Sequence, residues 1–200
     1  MKSLKIALAL AALLASSSAM AQRIKMKEGN LDMLKGVKKM NIKYDYSNMT
    51  CTTKDIPEAE FIANKKEEYN KKETGKGDHW AEGWVADREN RYAPKFREMF
   101  EKQSDITLDP SGNEKYTLIF HTTHTETGYN IGISRRNAYI DAEALVVESA
   151  NPDKVLARIT MDDIPGSSFG GYDFDTGARL SESYEKAGKS LGKYISKQAR

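Results

Sequence analysis

The sequence is poor in cysteine, in histidine and in long apolar runs, and each shortage excludes a class of protein. A single cysteine, Cys51, cannot form an intramolecular disulfide, which excludes a disulfide-stapled mini-protein. Only three histidines occur, and no zinc-signature spacing joins them to Cys51. No apolar run reaches the roughly 20 residues that a membrane-spanning helix needs. The chain therefore has to rely on an ordinary hydrophobic core for its stability.

An excess of charge of one sign is also missing. Lys and Arg number 31, and two of them, Lys2 and Lys5, precede residue 22, which leaves 29 basic against 29 acidic side chains. Binding of nucleic acid or of an anionic membrane surface needs clustered excess positive charge. We therefore predict no nucleic-acid partner. With 30% charged and 39% hydrophobic residues, the composition is typical of a globular domain, which we assign to residues 22–200.

Residues 1–21 have the three zones of a secretory signal peptide. A positively charged start is followed by the apolar run Ile6 to Ala15, and Ala19-Met20-Ala21 supplies small residues for cleavage after Ala21. About ten apolar residues are too few to span a bilayer. The next residue is Gln22 rather than the cysteine of a lipoprotein. We therefore expect a mature protein that is periplasmic or secreted, with no transmembrane segment.

Apolar periodicity predicts both strands and helices. Alternation of apolar and polar residues predicts strands at Met40 to Tyr46, Tyr116 to His121, Ala138 to Val147 and Val155 to Met161. The stretch Gly128 to Arg136 either extends the neighbouring strands or forms a wide loop. Helical composition and spacing predict helices at Pro57 to Lys72, at Trp80 to Gln103 with a kink or break at Pro94, and from Phe174 onward with Asp173 or Asp175 as the cap.

This order of elements predicts a fold of the α+β class. We expect two layers, with a mostly antiparallel sheet of about four to five strands packed against helices, and a long C-terminal helix. Asn151-Pro152-Asp153 has the residue types of a turn and is expected to join the last two strands. Gly188 and Gly192 lie one turn apart in the last helix, which favours a close approach, expected to be onto the sheet.

The histidine pair His121 and His124 is the main candidate for chemistry. On a regular strand, residues three apart point to opposite faces, so the pair would not hold one metal ion unless a bulge intervened. Zinc needs three or four ligands, and the third histidine, His79, is distant in sequence. We therefore assign no catalytic, metal-binding or cofactor-binding residues. A small hydrolase or metal-dependent enzyme that uses His121 or His124 remains the alternative reading.

Aromatic residues recur every four positions in the second predicted helix. Trp80 and Trp84 are one turn apart, and Tyr92 and Phe96 continue the series. Such a stripe is typical of a hydrophobic core. The same residues would form an aromatic groove for a glycan or a peptide if they were partly exposed. Trp80, Trp84, Tyr92 and Phe96 are therefore the candidate binding surface.

The C-terminal part of the chain resembles a group of exported bacterial envelope proteins. The features that carry the resemblance are the strands Tyr116 to Phe120 and Tyr139 to Val147, the hairpin into Lys154 to Ala157, the Gly170-Gly171 corner, and the final stretch Tyr184 to Lys193. The fold of that group is like the N-terminal domain of TolB and the periplasmic domain of the curli-secretion protein CsgG. The resemblance implies a module for envelope assembly or interaction, with no shared catalytic set.

Two functions follow as hypotheses. The first is a non-enzymatic periplasmic module that binds another component of the cell envelope, either a protein or a glycan, through its sheet edge or through the helix Trp80 to Phe100. The second is the hydrolase or metal-dependent enzyme built on the histidine pair, which requires those side chains and acidic groups to converge in one pocket. The oligomeric state and the structure of Gln22 to Lys39 do not follow from the sequence.

Overall fold

A computed structural model of the protein describes residues 22–130, 134–166 and 175–199. The expected signal peptide at residues 1–21, the candidate cap Asp173, and the residue Phe174 at which the last helix was expected to begin lie outside the described residues.

Eight strands form one mixed sheet. They are β1 (Arg23–Gly29), β2 (Lys39–Asp45), β3 (Thr50–Cys51), β4 (Ile56–Pro57), β5 (Thr107–Asp109), β6 (Tyr116–Glu126), β9 (Tyr139–Glu148) and β10 (Asn151–Pro165). Their order across the sheet is β1-β10-β9-β6-β2-β5, and the short β3–β4 hairpin pairs with the end of β6. Two further strands, β7 (Tyr129–Asn130) and β8 (Arg135–Arg136), form a separate ribbon.

Four α-helices complete the described structure. They are α1 (Glu58–Lys72), α2 (Lys76–Asp87), α3 (Ala93–Ser104) and α4 (Thr176–Gln198). A π-helical turn, Arg88–Tyr92, joins α2 to α3, so the two run on as one rod. Pro94 follows this turn and has no N–H to donate, and the wider turn makes room for its ring next to the preceding carbonyls. The predicted kink at Pro94 is therefore a local widening, and α3 ends at Ser104.

The α+β class and the long C-terminal helix are confirmed, but the sheet is larger than the four to five strands that we predicted. It is also mixed rather than mostly antiparallel, because β2 pairs in parallel with β5 and β6, and β3 pairs in parallel with β6. The helices α1 to α3 lie between β2 and β5 in the chain. A connection of that length allows the following strands to return in the same direction as β2.

The helices pack on one face of the sheet and bury the core there. On β6, Phe120 contacts Phe96 of α3 with ring centroids 4.4 Å apart, and Thr122 is hydrogen-bonded to Tyr184 of α4 at 2.9 Å. Tyr92 and Tyr184 stack at 4.5 Å with nearly parallel rings. In the described part of the chain, no helix is both long and apolar enough to cross a membrane.

The two glycines of α4 make their close approach to a helix and not to the sheet as expected. A Cβ at Gly188 would lie 2.2 Å from the carbonyl oxygen of Phe96, and one at Gly192 would lie 2.6 Å from that of Phe100. The absence of side chains lets α4 lie directly against the backbone of α3. At its start, the carboxylate of Asp175 accepts a hydrogen bond from the Ala178 N–H at 2.9 Å, which confirms Asp175 as the cap.

The hairpin between β9 and β10 turns earlier than predicted. Ser149 and Ala150 form the turn, and Asn151 already pairs with Glu148. The predicted turn residues Asn151 to Asp153 belong to β10, in a stretch where the register slips before Val155. Such an irregularity admits a proline that a regular ladder would exclude.

Candidate functional site

The four aromatic residues of the candidate surface separate into two groups. Tyr92 and Phe96 are buried and belong to the core between α3, α4 and the sheet. Trp84 is also largely buried, whereas Trp80 is half-buried at the edge of an open groove. Only Trp80 and Trp84 therefore border a surface that a ligand can reach.

The groove has a volume of about 520 Å³ and lies between the helix pair α1–α2 and the start of α4. Its floor and one wall come from α1 and α2, and include Phe61, Tyr69, Trp80 and Trp84. The opposite wall consists of the corner Thr127 to Tyr129 after β6 and the first turn of α4, Thr176 to Arg179. This volume is within the range of about 300–1,000 Å³ that is usual for small-ligand sites.

Four rings form the apolar floor, and Trp80 contacts each of the other three. Trp80 lies 5.8 Å from Phe61, 5.7 Å from Tyr69 and 5.5 Å from Trp84, measured between ring centroids. Phe61 and Tyr69 are eight residues apart on α1, and Trp80 and Trp84 are four apart on α2, so each pair faces the other helix. The sequence placed Tyr69 on α1 but did not indicate that it would meet the tryptophans.

Hydrogen bonds to one carboxylate fix the position of Trp84. Its indole N–H donates to Glu58 at 2.6 Å, and the guanidinium of Arg88 donates to the same oxygen. Arg88 also lies over the ring of Tyr46, 4.2 Å from its centroid. Glu58 begins α1 and Arg88 follows the end of α2, so this half-buried cluster joins the two helices behind the groove. The aromatic floor is thereby held in place from the core side.

Charged and polar groups form the rim. Arg91 bridges two carboxylates, with its Nε 2.9 Å from Asp87 and its Nη1 2.6 Å from Asp175. Burial and the charge of Asp175 raise the pKa of Asp87. Burial alone would raise the pKa of Asp175, but the Arg91 guanidinium and a backbone N–H outweigh it and hold this pKa below its ordinary value. The rim therefore offers acceptors on one side, while Lys76 and His79 add donors on the other.

The two opposed walls meet at Gly177. A Cβ on this residue would lie 1.8 Å from the carboxylate of Asp87, so a larger residue here would displace that carboxylate from its position beside Arg91. Next to Gly177 on the same wall, the corner Thr127 to Tyr129 is fixed by the buried carboxylate of Glu126. This carboxylate accepts hydrogen bonds from the N–H groups of Gly128 and Thr53. These contacts fix the corner that carries Tyr129, whose side chain is 39% exposed at the mouth of the groove.

A β-bulge in β6 changes the prediction for the two histidines. Across the ladder with β9, His121 pairs with Glu143 and His124 pairs with Asp141. Glu143 and Asp141 are two residues apart on a strand and therefore share a face. The extra residue of the bulge, between Thr122 and His124, thus places both histidines on the face opposite the helices. The expectation that they point to opposite faces was wrong for this reason.

The surroundings of His124 do not form a catalytic relay. Its Nδ1 lies 2.9 Å from the hydroxyl of Thr50 and 3.1 Å from the carboxylate of Asp55, while its Nε2 is buried without a hydrogen-bond partner among the described residues. A nucleophile–base–acid relay needs the hydroxyl and the carboxylate on different ring nitrogens. Within residues 22–130, 134–166 and 175–199, no group of three or more His, Cys, Asp or Glu side chains could hold a metal.

Comparisons with known proteins give structural likeness only. No family model matches the chain, and no curated protein matches it either. The fold is similar to a PelC dodecamer from Paraburkholderia phytofirmans, at 12% identity and a TM-score of 0.45, over 90% of this chain and 99% of that one. It is also similar to a DUF330 protein from Xanthomonas campestris, at 11% identity and a TM-score of 0.41, over 81% and 85% of the two chains.

Proposed function

We propose that this protein is an exported, non-enzymatic binding module of the cell envelope, and that its groove between α1, α2 and the start of α4 holds a saccharide. The leader pattern of residues 1–21 supports export. The balanced charge speaks against a nucleic-acid partner. The aromatic floor beneath an open polar rim is the observation that carries the proposal.

Sugar chemistry fits the two halves of this groove. The C–H faces of a pyranose ring are apolar and pack on aromatic rings, while its hydroxyl groups donate and accept hydrogen bonds around the ring edge. Trp80 and its neighbours Phe61 and Tyr69 offer such rings. Asp87, His79 and the other polar groups of the rim surround them with donors and acceptors. Mostly apolar pockets with a few polar groups are the common form of small-ligand sites.

The experiment compares the mature protein with its Trp80→Ala variant on a glycan array and on polysaccharide extracted from the producing organism. Loss of a buried aromatic contact removes about 1.5–3 kcal/mol. Since 1.4 kcal/mol corresponds to tenfold, we expect binding to weaken by about 10-fold to 100-fold. Val85→Ala is the matched control, because Val85 lies on the same helix, is 50% exposed and does not line this groove.

Two results would contradict the proposal. One is saccharide binding that Trp80→Ala leaves unchanged, which would place the sugar elsewhere on the protein. The other is the absence of saccharide binding by the folded wild-type protein on both the array and the extracted polysaccharide. Equal loss in Trp80→Ala and Val85→Ala would also contradict it, because the effect would then not be local to the groove.

A further inference from the structure

One edge of the large sheet is left unpaired along most of a strand. β2 pairs with β6 over Asn41–Asp45, but on its other side it pairs with β5 only over Lys39–Asn41. β5 ends at Asp109 and Pro110 follows, which has no N–H to continue the ladder. In the described part of the chain, no strand lies beside Ile42–Asp45 on that outer side. Alternate backbone N–H and C=O groups of this stretch therefore point outward unpaired.

A second groove runs along this free edge. Its volume is about 420 Å³, and it lies between β2 and the rod formed by α2, the π-helical turn and α3. Ile42, Tyr44 and Tyr46 line it from the strand, and Val85, Ala93 and Pro94 line it from the helical side. Val85 is 50% exposed and is one of two large hydrophobic side chains so exposed among the described residues. The edge thus offers an apolar strip beside free main-chain groups.

The opposite edge of the sheet, β1, shows how an edge that should stay unpaired is protected. Arg23, Lys25 and Lys27 are exposed along it, and its register with β10 slips between Met26 and Glu28. Charged side chains and a bulge are the usual means of blocking strand addition. Between Ile42 and Tyr46, β2 has one exposed lysine, Lys43, no break in its register with β6, and apolar or aromatic side chains on its groove side. The two edges therefore differ in their capacity to accept another strand.

The β2 groove has one positive and one negative side chain without an ion-pair partner among the described residues, Arg97 and Glu89. Arg88, at the groove, is already bound to Glu58. Arg97 is half-buried in the groove and has no ion-pair partner among the described residues. Glu89 is exposed on the same helical side, one turn before Ala93. The unpaired guanidinium of Arg97 suits a carboxylate, with which a bidentate pair is possible.

We propose that the β2 groove binds an extended segment of another protein that carries one acidic residue, and that this segment adds to the sheet as a strand beside Ile42–Asp45. Main-chain hydrogen bonds to β2 supply the affinity, and alternate apolar side chains of the segment pack on Val85 and its neighbours. An Asp or Glu of the segment meets Arg97. A second copy of this chain fits less well through its β1 edge, because that edge would bring Arg23, Lys25 and Lys27 towards Arg97. Pairing of the β2 edges of two copies is an outcome that the test below distinguishes. This site is separate from the saccharide groove.

The test is selection of a phage-displayed library of random 12-residue peptides on the mature protein. We expect the enriched peptides to alternate apolar residues and to carry Asp or Glu, and to protect the amides of Ile42–Asp45 from hydrogen exchange. Synthetic versions should bind at least tenfold more weakly to Val85→Asp and to Arg97→Glu. N-methylation of alternate peptide amides should abolish binding, since it removes the main-chain donors that strand addition uses.

The controls separate this proposal from the saccharide groove. Lys95→Glu makes the same charge change on α3 at an exposed position outside the groove, and Trp80→Ala alters only the other groove, so both should bind the peptides as wild type does. The proposal is overturned if no peptide is enriched or if N-methylation has no effect. Peptides that bind Val85→Asp and Arg97→Glu normally would overturn it too, as would self-association through β2 in place of peptide binding.

Discussion

The contact between α3 and α4 gives the sharpest stability prediction, through Gly188→Ala. The new Cβ would lie 2.2 Å from the carbonyl oxygen of Phe96, and that oxygen belongs to helix backbone, which cannot rotate away. Overpacking of this kind costs about 1–3 kcal/mol. The better helix propensity of alanine returns about 1 kcal/mol. We therefore expect Gly188→Ala to lower the free energy of unfolding by up to about 2 kcal/mol.

Gly83→Ala is the matched control for that experiment. Gly83 is also inside a helix, α2, but a Cβ there would meet no atom within 4 Å. Only the better helix propensity of alanine then acts, so the free energy of unfolding should rise by about 0.5–1 kcal/mol. Urea unfolding followed by far-UV circular dichroism measures both. Equal stabilisation by Gly188→Ala and Gly83→Ala would refute the close approach of α4 to α3.

Three further predictions concern single side chains. Burial raises the pKa of the Cys51 thiol to about 12, so iodoacetamide at pH 8 should alkylate it slowly in the native protein and fast in urea, as judged by mass spectrometry. Arg91 helps hold the pKa of Asp175 low in the folded state, so the Asp175 carboxylate stabilises the protein at neutral pH. This contribution is lost as the pH falls below the ordinary Asp value of about 4 and through the lowered pKa. Between pH 5 and pH 3 in urea titrations, Asp175→Asn should therefore lose less stability than wild type. Tyr184→Phe removes a hydroxyl that is hydrogen-bonded to Thr122 of β6, and should lower the free energy of unfolding by about 1 kcal/mol. Tyr92→Phe removes a buried hydroxyl that has no partner among the described residues, and should leave the free energy of unfolding unchanged.

The long elements of the fold were predictable because each has a clear period. The alternation predicted β2 and β9 to within one residue at each end, and the helical spacing located α4. It also located β6 and β10, but these strands extend beyond the predicted bounds, to Glu126 and over Asn151–Pro165. The seven-residue strand β1 was not predicted. β3, β4 and β5 have only two or three residues each, too few for a period to appear. The parallel pairing of β2 depends on how the helices between β2 and β5 cross the sheet. That is a long-range property, which no local pattern contains.

The four aromatic residues of the stripe do not share one environment, for a geometric reason. An α-helix turns about 100° per residue, so residues four apart drift by about 40° at each step. In an unbroken α-helix the drift from Trp80 to Phe96 would be about 160°. The π-helical turn Arg88–Tyr92 lies between them and has more residues per turn, so it changes their relative direction again. Trp80 therefore borders a groove while Phe96 is buried against β6, although their spacing suggests one face.

The groove itself could not be read from the sequence, because its walls come from separated segments. Trp80 on α2 meets Phe61 and Tyr69 on α1, and the opposite wall begins at Thr127 and resumes at Asp175. The common face of His121 and His124 could not be predicted from the sequence either. One bulge residue in β6 decides which face His124 occupies, and alternation alone does not indicate a bulge.

The fluorescence of Trp80 tests the saccharide groove most directly, because the protein has only two tryptophans and both border it. Trp84→Phe leaves Trp80 as the single emitter, and polysaccharide from the envelope of the producing organism is then titrated against it. We predict a blue shift of the emission and protection from acrylamide quenching, both saturating with the ligand, as expected when a half-exposed ring is covered. Emission and quenching that stay unchanged, while the same preparation binds the polysaccharide in a sedimentation assay, would contradict the assignment of the groove.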